Sequence, residues 1–184
     1  MSYNKPEFLI IHTEASPVKT NAPRFDIVNQ FHRQKGFTKS SLGFYVGYHY
    51  FIEKSGKLIQ ARADIDEGMH TIGFNLKSLA ICLAGNGDVE LPTLEQTQTL
   101  KELINKKAKE YLISKDKILP HRRFLGHHEK TCYGTLLSDT WASDLLDLSD
   151  TTPNIEVLKK QVSLLGELVA LWQKLKLLLN KKNV

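Results

Sequence analysis

EFLIIHT, residues 7–13, is the stretch from which the fold of this chain can be predicted. It contains four consecutive apolar residues, two of which are isoleucine. A short apolar run that includes β-branched residues is typical of a buried strand. His12 stands near the end of this run, where a rigid element carries its side chain to the edge of a sheet.

Three further segments have strand-like composition. FYVGYHYFIE (44–53) is rich in aromatic and β-branched residues, and together with the turn KSGK and LIQARA (58–63) it predicts a hairpin. SLAICLAG (78–85) predicts another buried strand. KILPH (117–121) predicts a short strand that ends at a second histidine, His121.

Helical patterns alternate with these strands. Residues 23–37 carry apolar side chains at helical spacing, TLEQ (93–96) is a capping box that opens a long helix, and SDTWASDLL (138–146) predicts a last helix with a serine, Ser138, as N-cap. This alternation favours an α/β fold with a mixed central β-sheet flanked by helices. The side chains predicted to face the core are Phe25, Val28 and Phe31 in the first helix and Leu100, Leu103, Ile104 and Ala108 in the second.

The composition is that of a well-packed globular protein. Of the 184 residues, 41% are apolar and 24% are charged, and the net charge is +5. Six of the lysines lie in residues 151–184, so the rest of the chain is nearly neutral, which argues against a nucleic-acid partner. No signal peptide or transmembrane segment is evident, and we therefore expect synthesis in the cytoplasm. Two cysteines cannot form a disulfide framework.

The C-terminal residues follow a different pattern. DTTPN (150–154) is linker-like, and residues 155–179 have apolar side chains at the 4-3-4-3 spacing of an amphipathic helix. We predict a domain over residues 1–149, followed by a linker and a basic amphipathic helix over 150–184. Three alternatives for residues 155–179 stay open: packing on the domain, assembly into a homo-oligomer, or contact with an anionic membrane surface.

Candidate metal ligands lie at strand ends and in the stretch PHRRFLGHHEKTC (120–132). A catalytic zinc ion takes three ligands from His, Cys, Asp or Glu and keeps a fourth position for water. His12, His121 and Cys132 would supply such a set. His127 is the alternative second ligand, and we prefer His121 because it follows a strand.

Five segments, taken in order, resemble the zinc-dependent N-acetylmuramoyl-L-alanine amidases of type 2, which share a fold with amidase-type phage lysozymes and peptidoglycan recognition proteins. The resemblance extends from about Phe8 to about Leu146. One departure is a tyrosine after Cys132, where proline is common. The segments are FLIIHTEAS, VGYHYFIEKSGKLIQAR, GMHTIGFN with SLAICLAGN, ILPHRRF and KTCYG.

The resemblance implies a role for each matching position. It implies one zinc ion per chain, held by His12, His121 and Cys132. It also implies catalytic roles for Tyr48 and Lys130 and substrate contacts by His70 and Asn75. We expect structural roles for His49, and an exposed position for His32.

The activity implied by the resemblance is hydrolysis of the amide bond between N-acetylmuramic acid and L-alanine, with peptidoglycan or its muropeptide fragments as the substrate. An endolysin-like enzyme of this kind acts on cell-wall material. Two alternatives remain: a peptidoglycan-binding module of the same fold without catalysis, and a hydrolase that uses Cys132 as nucleophile with a histidine base.

Overall fold

The computed structural model describes residues 3–15, 20–124, 126, 131–147, 163, 166–169 and 171–174. The chain divides into two compact units, Met1–Asp147 and Leu148–Val184. In the second unit the described residues are helical, but most of the predicted linker and amphipathic helix lies outside the described residues. Among the described residues there is no helix with the length and apolar character needed to cross a membrane.

A five-stranded mixed sheet forms the centre of the first unit, in the spatial order β3-β2-β4-β1-β5. β2 and β3 form an antiparallel hairpin, while the β2–β4, β4–β1 and β1–β5 pairs are parallel. The predicted α/β class and the mixed sheet are therefore confirmed. The strands are β1 (Phe8–Thr13), β2 (Tyr50–Ile52), β3 (Leu58–Gln60), β4 (Ser78–Leu83) and β5 (Ile118–Pro120).

Two α-helices cover the opposite faces of this sheet: α1 (Phe25–Gln34) and α2 (Leu94–Tyr111). Because side chains alternate along a strand, β4 contributes Ile81 to the cluster beneath α2 and Cys82 to the cluster beneath α1. Three short 3₁₀ turns complete the unit, at Lys115–Lys117, His121–Arg123 and Ser143–Leu145.

The start of each α-helix is fixed by side-chain hydrogen bonds. Thr93 and Gln96 form the predicted capping box at α2, in which the Thr93 hydroxyl accepts from the Gln96 backbone N–H at 3.1 Å. At α1 the cap comes from the hairpin, because the Glu53 carboxylate accepts from the backbone N–H groups of Arg24 and Phe25 at 2.8–3.0 Å. The four core residues predicted for α2 are all buried.

The predicted strand over 44–53 is wrong for its first half, because only Tyr50–Ile52 is regular strand. Backbone groups of Tyr45, Val46 and Gly47 are hydrogen-bonded to side chains, whereas the His49 N–H already donates to the Ala80 carbonyl of β4. The Gly47 N–H donates to His32 Nδ1 at 3.1 Å, and the Val46 carbonyl accepts from Arg62 Nε at 2.7 Å. These contacts fix an irregular segment that a sequence pattern cannot separate from a strand.

The predicted helix over 138–146 is also wrong, since only Ser143–Leu145 forms a 3₁₀ turn. The Ser138 carbonyl accepts a hydrogen bond from the Tyr133 hydroxyl at 2.6 Å, which ties this segment to the preceding loop. Serine and aspartate favour turns over helix interiors, so the short segment has little intrinsic tendency to form a longer helix.

The buried face of α1 is rotated from the predicted one. Phe25 and Val28 are buried as expected, but Phe31 is 52% exposed, and His32, which we expected to be exposed, is buried. The His32 ring stacks on Phe37 with a centroid distance of 4.4 Å. The hydrogen bond that His32 accepts from Gly47 explains why the polar ring lies inside.

Candidate metal centre

His12, His121 and Cys132 lie together at one edge of the sheet. One donor atom from each of them lies within 4.8 Å of the other two. Ile11 of β1 is paired with Pro120 of the parallel strand β5, so the residue after each of them reaches the same edge. His12 is 1% exposed and His121 is 6% exposed, with their ring centroids 4.5 Å apart.

The chemistry of this donor set fits zinc. Two imidazoles and a thiol are the side chains that Zn²⁺ prefers, and neither cysteine of the chain is in a disulfide. Cys132 Sγ is 3.6 Å from His12 Nδ1. Tetrahedral zinc with ordinary Zn–S and Zn–N bonds separates its donors by about 3.3–3.6 Å, so the contact has the spacing of two ligands of one ion.

Tyr48 borders this group of donors. Its ring centroid is 4.9 Å from that of His12 and 5.6 Å from that of His32. Burial, and then the nearby thiols of Cys82 and Cys132, raise the pKa of the Tyr48 hydroxyl well above its usual value. The phenol therefore stays protonated, so it is a hydrogen-bond donor beside the candidate ligands at any physiological pH.

His70 lies on another side of His12, with a ring-centroid distance of 5.3 Å. Its Nδ1 is 3.0 Å from the Thr71 hydroxyl, and its Nε2 is 3.4 Å from the Ser78 hydroxyl. Burial lowers the pKa of His70 well below the ordinary value, and the neighbouring His49 and His121 lower it further. His70 is thus a neutral imidazole at pH 7.

Asn75 closes the loop that carries His70. Its side-chain oxygen accepts from the backbone N–H groups of His70 and Thr71, at 3.0 and 2.9 Å. The Asn75 carbonyl also accepts from the Gly68 N–H at 3.0 Å. The side-chain oxygen of Asn75 therefore shapes the loop, and its predicted contact with substrate stays a prediction.

His49 has the structural role that the sequence suggested. It is fully buried, and Nδ1 accepts from the Ala80 backbone N–H at 3.1 Å while Nε2 lies 3.0 Å from the Asp66 carbonyl. The other two predicted residues, Lys130 and the alternative ligand His127, lie outside the described residues. The role of Lys130 and the choice between His121 and His127 thus stay predictions.

A cavity of about 380 Å³ opens beside Tyr48, between the end of β1 and α1. The ion pair between Arg24 Nε and Glu14, at 2.8 Å, lies at its wall. Burial raises the pKa of the Glu14 carboxyl, although Arg24 opposes the shift. Exposed apolar side chains of α1, Ile27 and Phe31, form part of the rim, so the cavity offers both apolar and charged contacts next to the donors.

Sequence reasoning missed two residues that contact the loop of Cys132. Arg122 donates to backbone carbonyls of that loop, and the Asp88 carboxylate accepts from the Thr131 hydroxyl at 2.6 Å and the Thr135 N–H at 2.9 Å. Contacts from side chains to backbone carbonyls follow no spacing rule. The only signal was that Arg122 directly follows a candidate ligand.

Comparison with known proteins agrees with this geometry. Residues 2–135 match the family model Amidase_2, N-acetylmuramoyl-L-alanine amidase. The fold and the match over most of the chain define the class, and this chain belongs to the N-acetylmuramoyl-L-alanine amidase family.

Particular relatives include both enzymes and recognition proteins. The chain is 29% identical over 82 residues to an endolysin of Enterobacteria phage T3, a match that covers 45% of this chain and 50% of that one. It is 33% identical over 79 residues to peptidoglycan-recognition protein SD of Drosophila simulans, covering 42% of each. The chain thus spans about half the length of the curated relatives it matches.

Solved structures share the fold. The N-acetylmuramoyl-L-alanine amidase LysC from Clostridium intestinale superposes with a TM-score of 0.60 at 24% identity, covering 73% of this chain and 80% of that one. Drosophila PGRP-LB superposes with a TM-score of 0.59 at 22% identity, covering 77% and 81%. Both similarities support the architecture described above.

Proposed function

We propose that this protein is a zinc-dependent hydrolase of the amide bond between N-acetylmuramic acid and L-alanine in peptidoglycan or its muropeptide fragments. The observation that carries the proposal is the group of His12, His121 and Cys132, whose donor atoms lie within 4.8 Å of one another in a chain of the amidase family. A zinc ion, when bound, would supply Lewis acidity and an activated water molecule.

The residues around the donors would assist the same reaction. The protonated Tyr48 hydroxyl can donate a hydrogen bond to the substrate carbonyl as negative charge develops on its oxygen. Lys130 is proposed as a second donor, which carries a positive charge, or as the source of the proton for the leaving amine. Neutral His70 would line the substrate-binding groove beside the three donors and contact the substrate without adding charge. The cavity beside Tyr48 would receive part of the substrate that extends from the amide.

The decisive experiment combines metal content with product analysis. Wild-type protein, His121→Ala and His127→Ala are analysed for zinc and incubated with a soluble muropeptide, and release of the free L-alanine amine is measured. We expect one zinc per wild-type chain, and loss of both zinc and activity in His121→Ala alone. Loss in His127→Ala alone would contradict the ligand assignment, and metal-free active protein would contradict the proposal itself.

A cysteine hydrolase is a second candidate because the Cys132 thiol lies 3.6 Å from an imidazole nitrogen, a distance that also suits a nucleophile and its base. The nearby His121 favours metal binding, since a nucleophile–base pair does not need a second buried imidazole. Activity that survives a chelator but is lost with a thiol alkylator would favour the nucleophile. Zinc binding without cleavage would favour the peptidoglycan-binding alternative.

A further inference from the structure

Arg122 links the segment of His121 to the loop of Cys132. We call residues 131–137 the cysteine loop. The Arg122 backbone N–H donates to the Cys132 carbonyl at 2.8 Å. Its guanidinium donates to the carbonyls of Thr131 at 3.2 Å, of Leu137 at 2.8 Å and of Gly134.

The guanidinium is itself held in place. Arg122 Nε donates to the Asp139 carboxylate at 2.7 Å, and the side chain is 19% exposed. The guanidinium also lies over the Tyr133 ring, with its central carbon 5.2 Å from the ring centroid. Because a guanidinium presents its N–H groups in a rigid planar fork, these contacts fix the direction of every donor at once.

The cysteine loop also contacts the segment that follows β4. Asp88 binds the hydroxyl of Thr131 and the N–H of Thr135, and the Gly87 carbonyl accepts from the Leu136 N–H at 3.1 Å. These contacts join the cysteine loop to the segment after β4. Arg122 joins the same loop to the segment of His121.

We propose that Arg122 is a positioning residue that holds the Cys132 sulfur at ligand distance from the two histidines and thereby sets the affinity for the metal. The inference rests on the proposed function, because it takes the three donors to be zinc ligands. A loop already ordered before binding loses less conformational entropy when the ion arrives, so pre-organisation increases affinity. Partners behind the ligands typically contribute about 10–100-fold to metal affinity.

Arg123 offers a matched control one residue away. It is also a cationic side chain on the same 3₁₀ turn, but it is 59% exposed, and its ion pair with Asp139 is longer, at 3.4 Å. We expect Arg122→Gln to weaken Zn²⁺ binding about 10–100-fold, measured by competition with a chromophoric chelator, and Arg123→Gln to leave it unchanged. Equal affinities in Arg122→Gln and wild type would overturn the proposal.

A double-mutant cycle separates positioning from general stabilisation. If Arg122 acts through the sulfur, Arg122→Gln causes no further loss of Zn²⁺ affinity in a Cys132→Ala background. The same loss in both backgrounds would overturn the proposal. Should Arg122→Gln fail to fold by circular dichroism, Arg122→Lys replaces it in both measurements, because lysine keeps the charge but lacks the planar fork.

Cobalt substitution gives a spectroscopic readout that does not depend on activity. In the Co²⁺-loaded protein, thiolate ligation produces a charge-transfer absorption band. We expect this band to be weakened in Arg122→Gln and normal in Arg123→Gln, and an unchanged band in both would contradict positioning. Wild-type protein that binds no Zn²⁺ would refute the proposed function together with this inference, whereas wild-type and Arg122→Gln proteins that bind equally would refute the inference alone.

Discussion

The ring of Tyr48 contacts two buried histidine rings that have different surroundings. On one side is His12, a candidate metal ligand, and on the other is His32, whose Nδ1 accepts a backbone hydrogen bond from Gly47. Gly47, the residue before Tyr48, is therefore held to α1 by this hydrogen bond. This arrangement holds the phenol beside the candidate metal ligands although no regular strand carries it.

Replacing Tyr48 by phenylalanine removes a single hydroxyl and preserves the ring. If this hydroxyl stabilises the developing negative charge, we expect kcat for muropeptide hydrolysis to fall about 10²–10³-fold with little change in zinc content. Kinetics and elemental analysis on the same preparations check this. Tyr45→Phe is the control, because Tyr45 packs against the Arg33 guanidinium and has no ring contact with the candidate metal ligands among the described residues. Equal kcat in Tyr48→Phe and wild type would assign Tyr48 a packing role.

That His12, His121 and Cys132 lie together could be predicted from the sequence, whereas the contacts that support them could not. His12 and His121 follow apolar runs that the sequence marks as strands, so their meeting at one sheet edge follows from parallel pairing. Arg122 and Asp88 act through backbone carbonyls, hydroxyls and N–H groups whose positions depend on the tertiary fold. Likewise, the burial of His32 depends on Gly47, fifteen residues away in the chain, and no local pattern reports it.

At the scale of the elements, Thr93 both caps the start of α2 and makes a tertiary contact. The Thr93 hydroxyl accepts from the Gln96 N–H and donates to the Lys54 carbonyl at 2.7 Å. The helix start is thus joined to the turn of the hairpin. Lys107 joins the far half of the helix to Asp64 through an ion pair of 2.5 Å.

Thr93→Ala would remove both hydrogen bonds of the Thr93 hydroxyl, one to the Gln96 N–H and one to the Lys54 carbonyl. We expect the free energy of unfolding to decrease by about 1–2 kcal/mol, the range for loss of an N-cap, with the upper end favoured by the lost bond to Lys54. Urea denaturation measures the change. Gln98→Ala, on the exposed face of the same helix, should change stability by less than about 0.5 kcal/mol. Indistinguishable midpoints for the two variants would argue against the cap.

Elements with a strong internal pattern were predicted well, and those defined by distant partners were not. The apolar runs of β1 and β4 and the capping box of α2 each contain their own signal. The segments 44–49 and 138–142 have plausible strand and helix composition, but the backbone groups of Tyr45, Val46, Gly47 and Ser138 bond to side chains from other segments. The periodicity of a single sequence does not show which distant side chains bond to a given backbone segment.

For the whole molecule, two buried histidines make stability depend on pH. Burial lowers the pKa of His32 to about 4 and that of His49 to about 4, from 6.5. Between about pH 4 and about pH 6.5, these two histidines bind protons in the unfolded chain but not in the native protein. The stability that the two neutral histidines contribute is therefore fully present above about pH 6.5 and is lost as the pH falls toward 4.

We expect the unfolding free energy of zinc-free protein to fall between pH 7 and pH 5, with each of these histidines contributing up to about 1.4 kcal/mol per pH unit within the window. Denaturant titrations at both pH values provide the measurement. His32→Gln and His49→Gln should each show a shallower pH dependence than wild type, whatever their absolute stability. If the pH dependence of the unfolding free energy is unchanged in both variants, other groups cause it.

The position of β1 in the sheet has a consequence for synthesis. This strand is synthesised before the other strands of the sheet, yet its two neighbours are β4, from the middle of the unit, and β5, from near its end. A nascent chain that stops before β5 leaves one border of this apolar strand without a pairing partner, which favours association with other chains. Productive folding of this unit therefore waits for almost all of its length, and shielding of β1 until then would improve the yield of folded protein.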